Sequence, residues 1–334
     1  IKSGSLGHVQ RRFTARDVLL AVQIAMCAVL VTSSFVAVQG LARSLHANLG
    51  FDPQNALLME VNLQLAGYKS GAVAAMQKRM VDEIQAIPGI TSAGLVGLYP
   101  PLHMGWDNED VFTDKTTDFR SSNAAAIAVL YSISPGYFRA ADTRLLLGRS
   151  FTWNDGNDVP RVAVINQHFA RKIFGSAANA IGKYFKLKDA KRIQVVGVAE
   201  DGKYTANLAE DPQLAMFFPI LQSPSNDAWL VVRSNRNSQD LAAALRDKMR
   251  SLDSGLPAFV QTWSEEMNGA LFAPRMATLS LGVLGFMGAI LSITGIFGMA
   301  AYAVSKRKRE LGIRIALGAQ RKEVLQAALG RPLR

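Results

Sequence analysis

Two stretches of this sequence, residues 18–38 and 276–304, carry no charge, and they dictate how the rest can be arranged. At about 1.5 Å per residue they make helices about 32 Å and about 44 Å long, against a hydrocarbon core of about 30 Å. Both read as transmembrane helices, the second tilted or projecting beyond the core. A cleaved leader would have a shorter apolar core and a small-residue cleavage site, so the first reads as a retained span. Its polar members, Gln23, Thr32, Ser33, Ser34 and weakly Cys27, are suited to face partner helices. Gly282, Gly285 and Gly288 put small residues on the surface of the second, where close approach drives helix packing in lipid.

The charge pattern orients these spans. The net charge is +11, and it sits at the flanks. Lys2, Arg11, Arg12 and Arg16 against Asp17 give +3 before the first span, and nine basic residues against Glu310 and Glu323 give +7 after the second. Residues 43–275 hold 24 basic and 23 acidic side chains. The positive-inside rule puts both flanks in the cytoplasm and the balanced middle outside. A folded domain without a basic face argues against a nucleic-acid partner. The mean hydropathy of +0.12 is low for a many-helix bundle and fits two spans around a large polar domain. With Cys27 as the single cysteine, no intrachain disulfide can form, so the fold rests on its packed core. The organisation expected is a cytoplasmic flank (1–17), a span (18–38), an extracytoplasmic domain (39–275), a second span (276–304) and a cytoplasmic helical segment (305–334).

Within the middle, strand and helix patterns alternate. Strands are expected at 56–64, 90–96, 125–132, 161–165, 193–199, 228–233 and 257–262. Val73, Met76, Met80, Ile84 and Ile87 follow helical spacing up to Pro88-Gly89, and Leu241, Leu245, Met249 and Leu252 share a second helix face. Residues 166–174 read as a third helix. Ser264-Glu265-Glu266 opens a helix that runs into the second span. The fold class expected is α+β, with two β-α-β-like lobes.

Catalytic patterns are missing. Residues 175–184 carry Gly175, Gly182 and Lys183, but the spacing is two too long for a phosphate loop, and Tyr184 replaces the magnesium-binding hydroxyl. It reads as a turn. His8, His46, His103 and His168 are not spaced as metal ligands, so no metal or cofactor is expected. Asp107, Glu109 and Asp110 have the chemistry to bind a cation, but a solvated acidic loop is the favoured reading. No enzymatic activity is expected.

The segment 305–320 reads SKRKRELGIRIALGAQ. Glu310 and Arg314 sit four apart, in the favourable order for a helical ion pair, and Gly318 is a helix stop. Physics alone also permits a basic helix resting on anionic headgroups. The run Arg309-Glu310-Leu311-Gly312-Ile313-Arg314-Ile315-Ala316-Leu317-Gly318-Ala319 resembles the signature of FtsX/MacB-type ABC transporter permeases. Ser134-Pro135-Gly136-Tyr137-Phe138, Leu147-Gly148-Arg149-Ser150-Phe151 and Ile181-Gly182-Lys183 resemble, in order, phrases of the MacB-like periplasmic core domain. Residues 161–166 (RVAVIN) and 195–198 (VVGV) fit the same series. The likeness is nearest to the second half of large duplicated permeases.

The resemblance implies an inner-membrane permease of a transporter for export or efflux. A separate cytoplasmic ABC ATPase subunit would hydrolyse ATP, and the permease would transmit its motion to the extracytoplasmic domain. It assigns the ATPase contact to Arg309, Glu310, Gly312, Arg314 and Gly318, and implies a dimer or pseudo-dimer with another permease half. The family continues with two more membrane helices beyond this segment, so the sequence reads as a fragment or truncated frame. The alternative is a two-span extracytoplasmic sensor or binding module with a lipid-anchoring basic tail.

Overall fold

The computed structural model describes residues 15–45, 48–103, 105, 107–205, 213–223, 225–256 and 259–306. In chain order, α1 (Ala15–Leu45) precedes β1 (Ala56–Asn62), α2 (Ser70–Gln85) and β2 (Ile90–Gly97). Next come β3 (Asn108–Thr113), β4 (Ala126–Ile133), α3 (Tyr137–Ala141) and β5 (Leu145–Gly148). They are followed by β6 (Val162–Asn166), α4 (Gln167–Phe174), α5 (Ala177–Ala180), β7 (Tyr184–Lys186), β8 (Arg192–Ala199) and β9 (Ala215–Pro219). The last are β10 (Asp227–Ser234), α6 (Ser238–Leu252), β11 (Phe259–Thr262) and α7 (Trp263–Lys306). The described residues fall into two compact units, Arg43–Ala273 and a helical unit of residues 15–42 and 274–306.

Two stretches in α1 and α7, Ala21–Arg43 and Leu271–Gly298, are long and apolar enough to cross a membrane. A core helix of a soluble protein would bury such a surface. Here none of the first stretch and 6% of the second is buried. Leu19, Phe35, Phe286 and Phe297 are 62–74% exposed. Large apolar side chains left outward along a whole helix are matched to lipid. Both helices run past the uncharged stretches, because Arg16, Asp17 and Arg43 interrupt the apolar pattern and not the helix.

The α+β unit has one half nested inside the other. β1, β2, β10 and β11 lie in the order β11-β1-β10-β2, every neighbour antiparallel. With α2 and α6 as the crossovers this is the split β-α-β arrangement, and everything between β2 and β10 is an insertion. β1 alternates Leu57, Met59 and Val61 toward α2 and α6, with Leu58 on the opposite face. Both faces are covered near its start, hence the continuous apolar run. The helical spacing seen in the sequence places Val73, Met76, Met80 and Ile84 of α2 in one cluster with Leu241, Leu245 and Met249 of α6. β1 stops two residues before position 64, because the Asn62 side chain accepts the Leu65 N–H at 2.7 Å and turns the chain.

The inserted half closes on itself. β4, β3, β7, β8, β6 and β9 pair in that sequence, and β9 returns to β4 in parallel. Alternate residues from all six strands, among them Val111, Ala128, Phe185, Ile193, Ile165 and Met216, meet in one cluster. Closure leaves the ring without an unpaired edge of its own. β6 and β8 pair in parallel, with α4, α5 and β7 in the connection between them. Asn166 joins three elements: its Oδ1 accepts the N–H groups of Phe169 (3.0 Å) and Ala215 (3.0 Å), and its Nδ2 donates to the Gln213 carbonyl (2.8 Å). A fully buried asparagine is tolerated because its bonds are made.

The acidic loop expected at Asp107–Asp110 is corrected by the structure. Asn108–Thr113 is strand β3, and Asp110 is 8% exposed and paired with Lys188 at 3.1 Å. Distant charge compensation keeps this carboxylate in the sheet. A third cluster, with Leu58, Trp229, Tyr131, Phe138 and Phe217, fastens the two halves together. At Gly94 of β2 a Cβ would lie 2.5 Å from Tyr137 Cα, so α3 can sit on the sheet only over glycine.

Candidate functional site

In the helical unit, polar side chains and small residues fix the pairing of α1 with α7. Gln23 Nε2 donates to the Leu291 carbonyl at 2.9 Å, and Ser34 Oγ to the Leu281 carbonyl at 2.6 Å. Such bonds satisfy polar groups that lipid cannot. Gly285 faces Ser34, whose Oγ would lie 2.7 Å from an added Cβ. Gly288 lies over Leu30 and Cys27, whose Sγ would be 3.7 Å from its Cβ. Gly282 faces open space and touches neither helix partner. Thr32 turns back onto its own helix, donating to the Ala28 carbonyl at 2.8 Å.

In the α+β unit, the start of α7 is fastened at several points. Thr262, Trp263, Ser264 and Glu265 form a capping box: the Glu265 N–H donates to Thr262 Oγ1 (3.1 Å) and the Thr262 N–H donates to Glu265 Oε2 (2.8 Å). Trp263 is fully buried and stacks on Phe51, with ring centroids 4.5 Å apart and an interplanar angle of 15°. Leu271, one of the last residues of this unit, is 4% exposed in the same cluster. Glu266 accepts from His103 Nδ1 and from Gln261 Nε2, each at 2.6 Å. The His103 bond holds the Glu266 carboxyl below the ordinary glutamate value against the opposing effect of burial, and Gln261 adds to it. As an ionised carboxylate only accepts, Nδ1 carries the proton.

The segment leading into β1 is held as tightly. Gly50 has φ +71° and approaches Gly202 so closely that a Cβ would sit 2.5 Å from its Cα. Thr143 Oγ1 donates to the Gly50 carbonyl (2.7 Å), and the Asp52 N–H to the Ala141 carbonyl (2.9 Å). Arg233 spans the same stretch, donating to the carbonyls of Ala140 (2.9 Å) and Gln54 (2.8 Å) and to that of Asp52. The Phe51–Trp263 stack therefore ties the first residues of this unit to its last.

Of the residues singled out in the sequence, Gly285 and Gly288 lie against α1 and Gly282 does not. Arg309, Glu310, Gly312, Arg314 and Gly318 lie outside the described residues, as do His8 and His46. Gly175 caps α4 with φ +82°, and Gly182 turns the chain into β7. Among the described residues no group of three His, Cys, Asp or Glu is placed to hold a metal. The fastening of α7 was missed apart from its acidic first turn, although Thr262-x-x-Glu265 is a recognisable capping spacing.

The family profile described as MacB-like periplasmic core domain matches residues 18–248. The macrolide export ATP-binding/permease protein MacB of Burkholderia lata is 25% identical over 225 residues, covering 65% of this chain and 32% of that protein. The pyoverdine export ATP-binding/permease protein PvdT of Pseudomonas syringae pv. tomato is 30% identical over 192 residues, covering 54% and 29%. This chain thus spans about a third of the length of these curated relatives. The crystal structure of the periplasmic region of MacB from Actinobacillus actinomycetemcomitans aligns at 16% identity and a TM-score of 0.43, covering 65% of this chain and 92% of that one. With the profile matching well over half of its residues, the chain belongs to the MacB-like periplasmic core domain family of FtsX/MacB-type ABC transporter permeases.

Proposed function

We propose that this chain is a permease subunit, or part of one, of an ABC-type export system in the bacterial inner membrane. Two helices cross the membrane, the unit Arg43–Ala273 lies on the extracytoplasmic side, and ATP-driven motion reaches that unit through α1 and α7. The observation that carries the reading is the fastening of α7 by Trp263, the capping box and Glu266, in a helix whose later turns are matched to lipid. Family membership supports the permease role, and the names of the relatives, each an ATP-binding/permease protein for export, support the direction. ATP hydrolysis is assigned to an ABC ATPase partner, contacted through Arg309, Glu310, Gly312, Arg314 and Gly318. A second permease half completes the assembly as a dimer or pseudo-dimer. The basic flanks keep residues 1–17 and 305–334 in the cytoplasm.

The test is co-purification of the partner ATPase with the detergent-solubilised chain. Arg309→Glu combined with Arg314→Glu reverses both charges and is expected to abolish ATPase recovery. Recovery equal to that of the unaltered chain would remove the coupling role from this segment.

A further inference from the structure

The sheet face of the four-stranded half opposite α2 and α6 is covered only in part, and its open end forms a cleft of about 480 Å³. That volume lies in the range of small-molecule sites, about 300–1,000 Å³. Strand register builds its floor. Glu60 of β1 lies opposite Trp229 of β10 on one side and Phe259 of β11 on the other, so the three make one cross-strand row. Asp227 follows in the next row, and Tyr99, His103 and Glu266 line the cleft as well, with the His103 ring between those of Tyr99 and Trp229.

The charge of this cleft is one-sided. Three carboxylates line it, Glu266 bonded to His103 and Gln261 and Asp227 to Asn62, and among the described lining residues there is no lysine or arginine. Elsewhere in the unit Asp110, Asp114, Asp155, Asp189, Glu200 and Asp201 each face a basic side chain. Glu60 does not. It is exposed, and among the described residues its carboxylate has neither an ion-pair nor a hydrogen-bond partner. Phe259, beside it, is 58% exposed, an unusual position for a phenyl ring on a sheet face.

A lone carboxylate between two rings selects one ligand chemistry. An anion would be repelled by Glu60 and Asp227, and a neutral molecule would gain nothing from the Glu60 charge. A cation gains the Coulombic attraction of the carboxylate together with the negative faces of the rings. We propose that this cleft binds an organic cation, a protonated or quaternary amine on an apolar body, with the ammonium seated by Glu60 between Trp229 and Phe259 and the apolar part against Tyr99. Glu266 belongs to the first turn of α7, so the occupant touches the fastened start of that helix. The inference concerns binding and does not depend on the transport reading.

The test is a saturation-transfer NMR titration of the full chain in a non-ionic detergent with benzyltrimethylammonium. Benzenesulfonate and benzyl alcohol serve as anionic and neutral probes. The ammonium is expected to bind saturably and the other two not. Glu60→Gln is expected to weaken ammonium binding about 5–10-fold through loss of the charge pair, and Phe259→Ala about 2–5-fold through loss of one ring face. Both side chains are exposed, so each variant should keep the unfolding midpoint of the parent chain, and either alone decides the matter. Equal binding of the neutral or anionic probe, absence of saturable ammonium binding, or unchanged affinity in a folded variant would overturn the assignment.

Discussion

Trp263 offers the sharpest test of how α7 is held. The side chain is fully buried and stacked on Phe51 at 4.5 Å, while its Nε1 has no acceptor among the described residues. Burying about 150–250 Å² of aromatic surface at about 25 cal/mol per Å² is worth about 4–6 kcal/mol. Truncations of this kind cost about 3–5 kcal/mol once the cavity relaxes, which is the value expected for Trp263→Ala. Trp263→Phe keeps a ring against Phe51 and sacrifices no hydrogen bond, so about 1–2 kcal/mol is expected. The stack itself can be isolated by a double-mutant cycle of Trp263→Leu and Phe51→Leu, with an expected coupling of about 0.5–1.5 kcal/mol. Equilibrium urea unfolding of the detergent-solubilised chain, followed by far-ultraviolet circular dichroism, measures all three. A Trp263→Ala variant within about 0.5 kcal/mol of the parent, the range of an inert surface change, would refute the reasoning.

Other consequences follow from close contacts and charge. Gly94→Ala drives a Cβ into the Tyr137 backbone and should lower stability by about 1–3 kcal/mol, read as a fall in Tm. Gly288→Cys places a thiol beside Cys27, so mild oxidation should form an intrachain disulfide visible as a gel-mobility shift; Gly282→Cys, facing open space, should not cross-link. Burial would raise the Asp155 carboxyl, but two bonds from Arg149 (2.9 and 2.8 Å) with the N–H and hydroxyl of Thr152 hold it below 3.8. A depressed folded-state value gives stability that is present above the unfolded value and lost as pH falls through the folded one. The destabilisation caused by Asp155→Asn should therefore be full at about pH 6 and shrink as unfolding is measured at successively lower pH below 3.8.

What could be read in the sequence was local. The 3.6-residue spacing of Val73 to Ile84 and of Leu241 to Met249 specified α2 and α6, and the β-branched run at 193–199 specified β8. The uncharged stretches specified the two long helices. β3 was hidden because Asp107, Glu109 and Asp110 look like solvent-facing residues, and the lysine that compensates Asp110 lies in another strand's turn. β9 and the closing of the inserted ring depend on Val129 pairing with Ala215, a contact no short-range pattern reports. The two lobes were anticipated, but not that one interrupts the other. At the fastened helix start, the capping spacing of Thr262 and Glu265 was visible in the chain. The Phe51–Trp263 stack and the His103–Glu266 bond join residues far apart in sequence and needed the fold.

Topology is the claim on which the functional reading depends, and single-cysteine labelling measures it directly. In a Cys27→Ala background, Gly156→Cys places a thiol where an added Cβ meets nothing within 4 Å, on a surface loop of the α+β unit. Ser305→Cys places one at an exposed position near the end of α7. With a membrane-impermeant maleimide on intact spheroplasts, the thiol at position 156 should be labelled at once and that at 305 only after permeabilisation. Labelling of position 305 from outside, or protection of position 156 until the membrane is opened, would contradict the account.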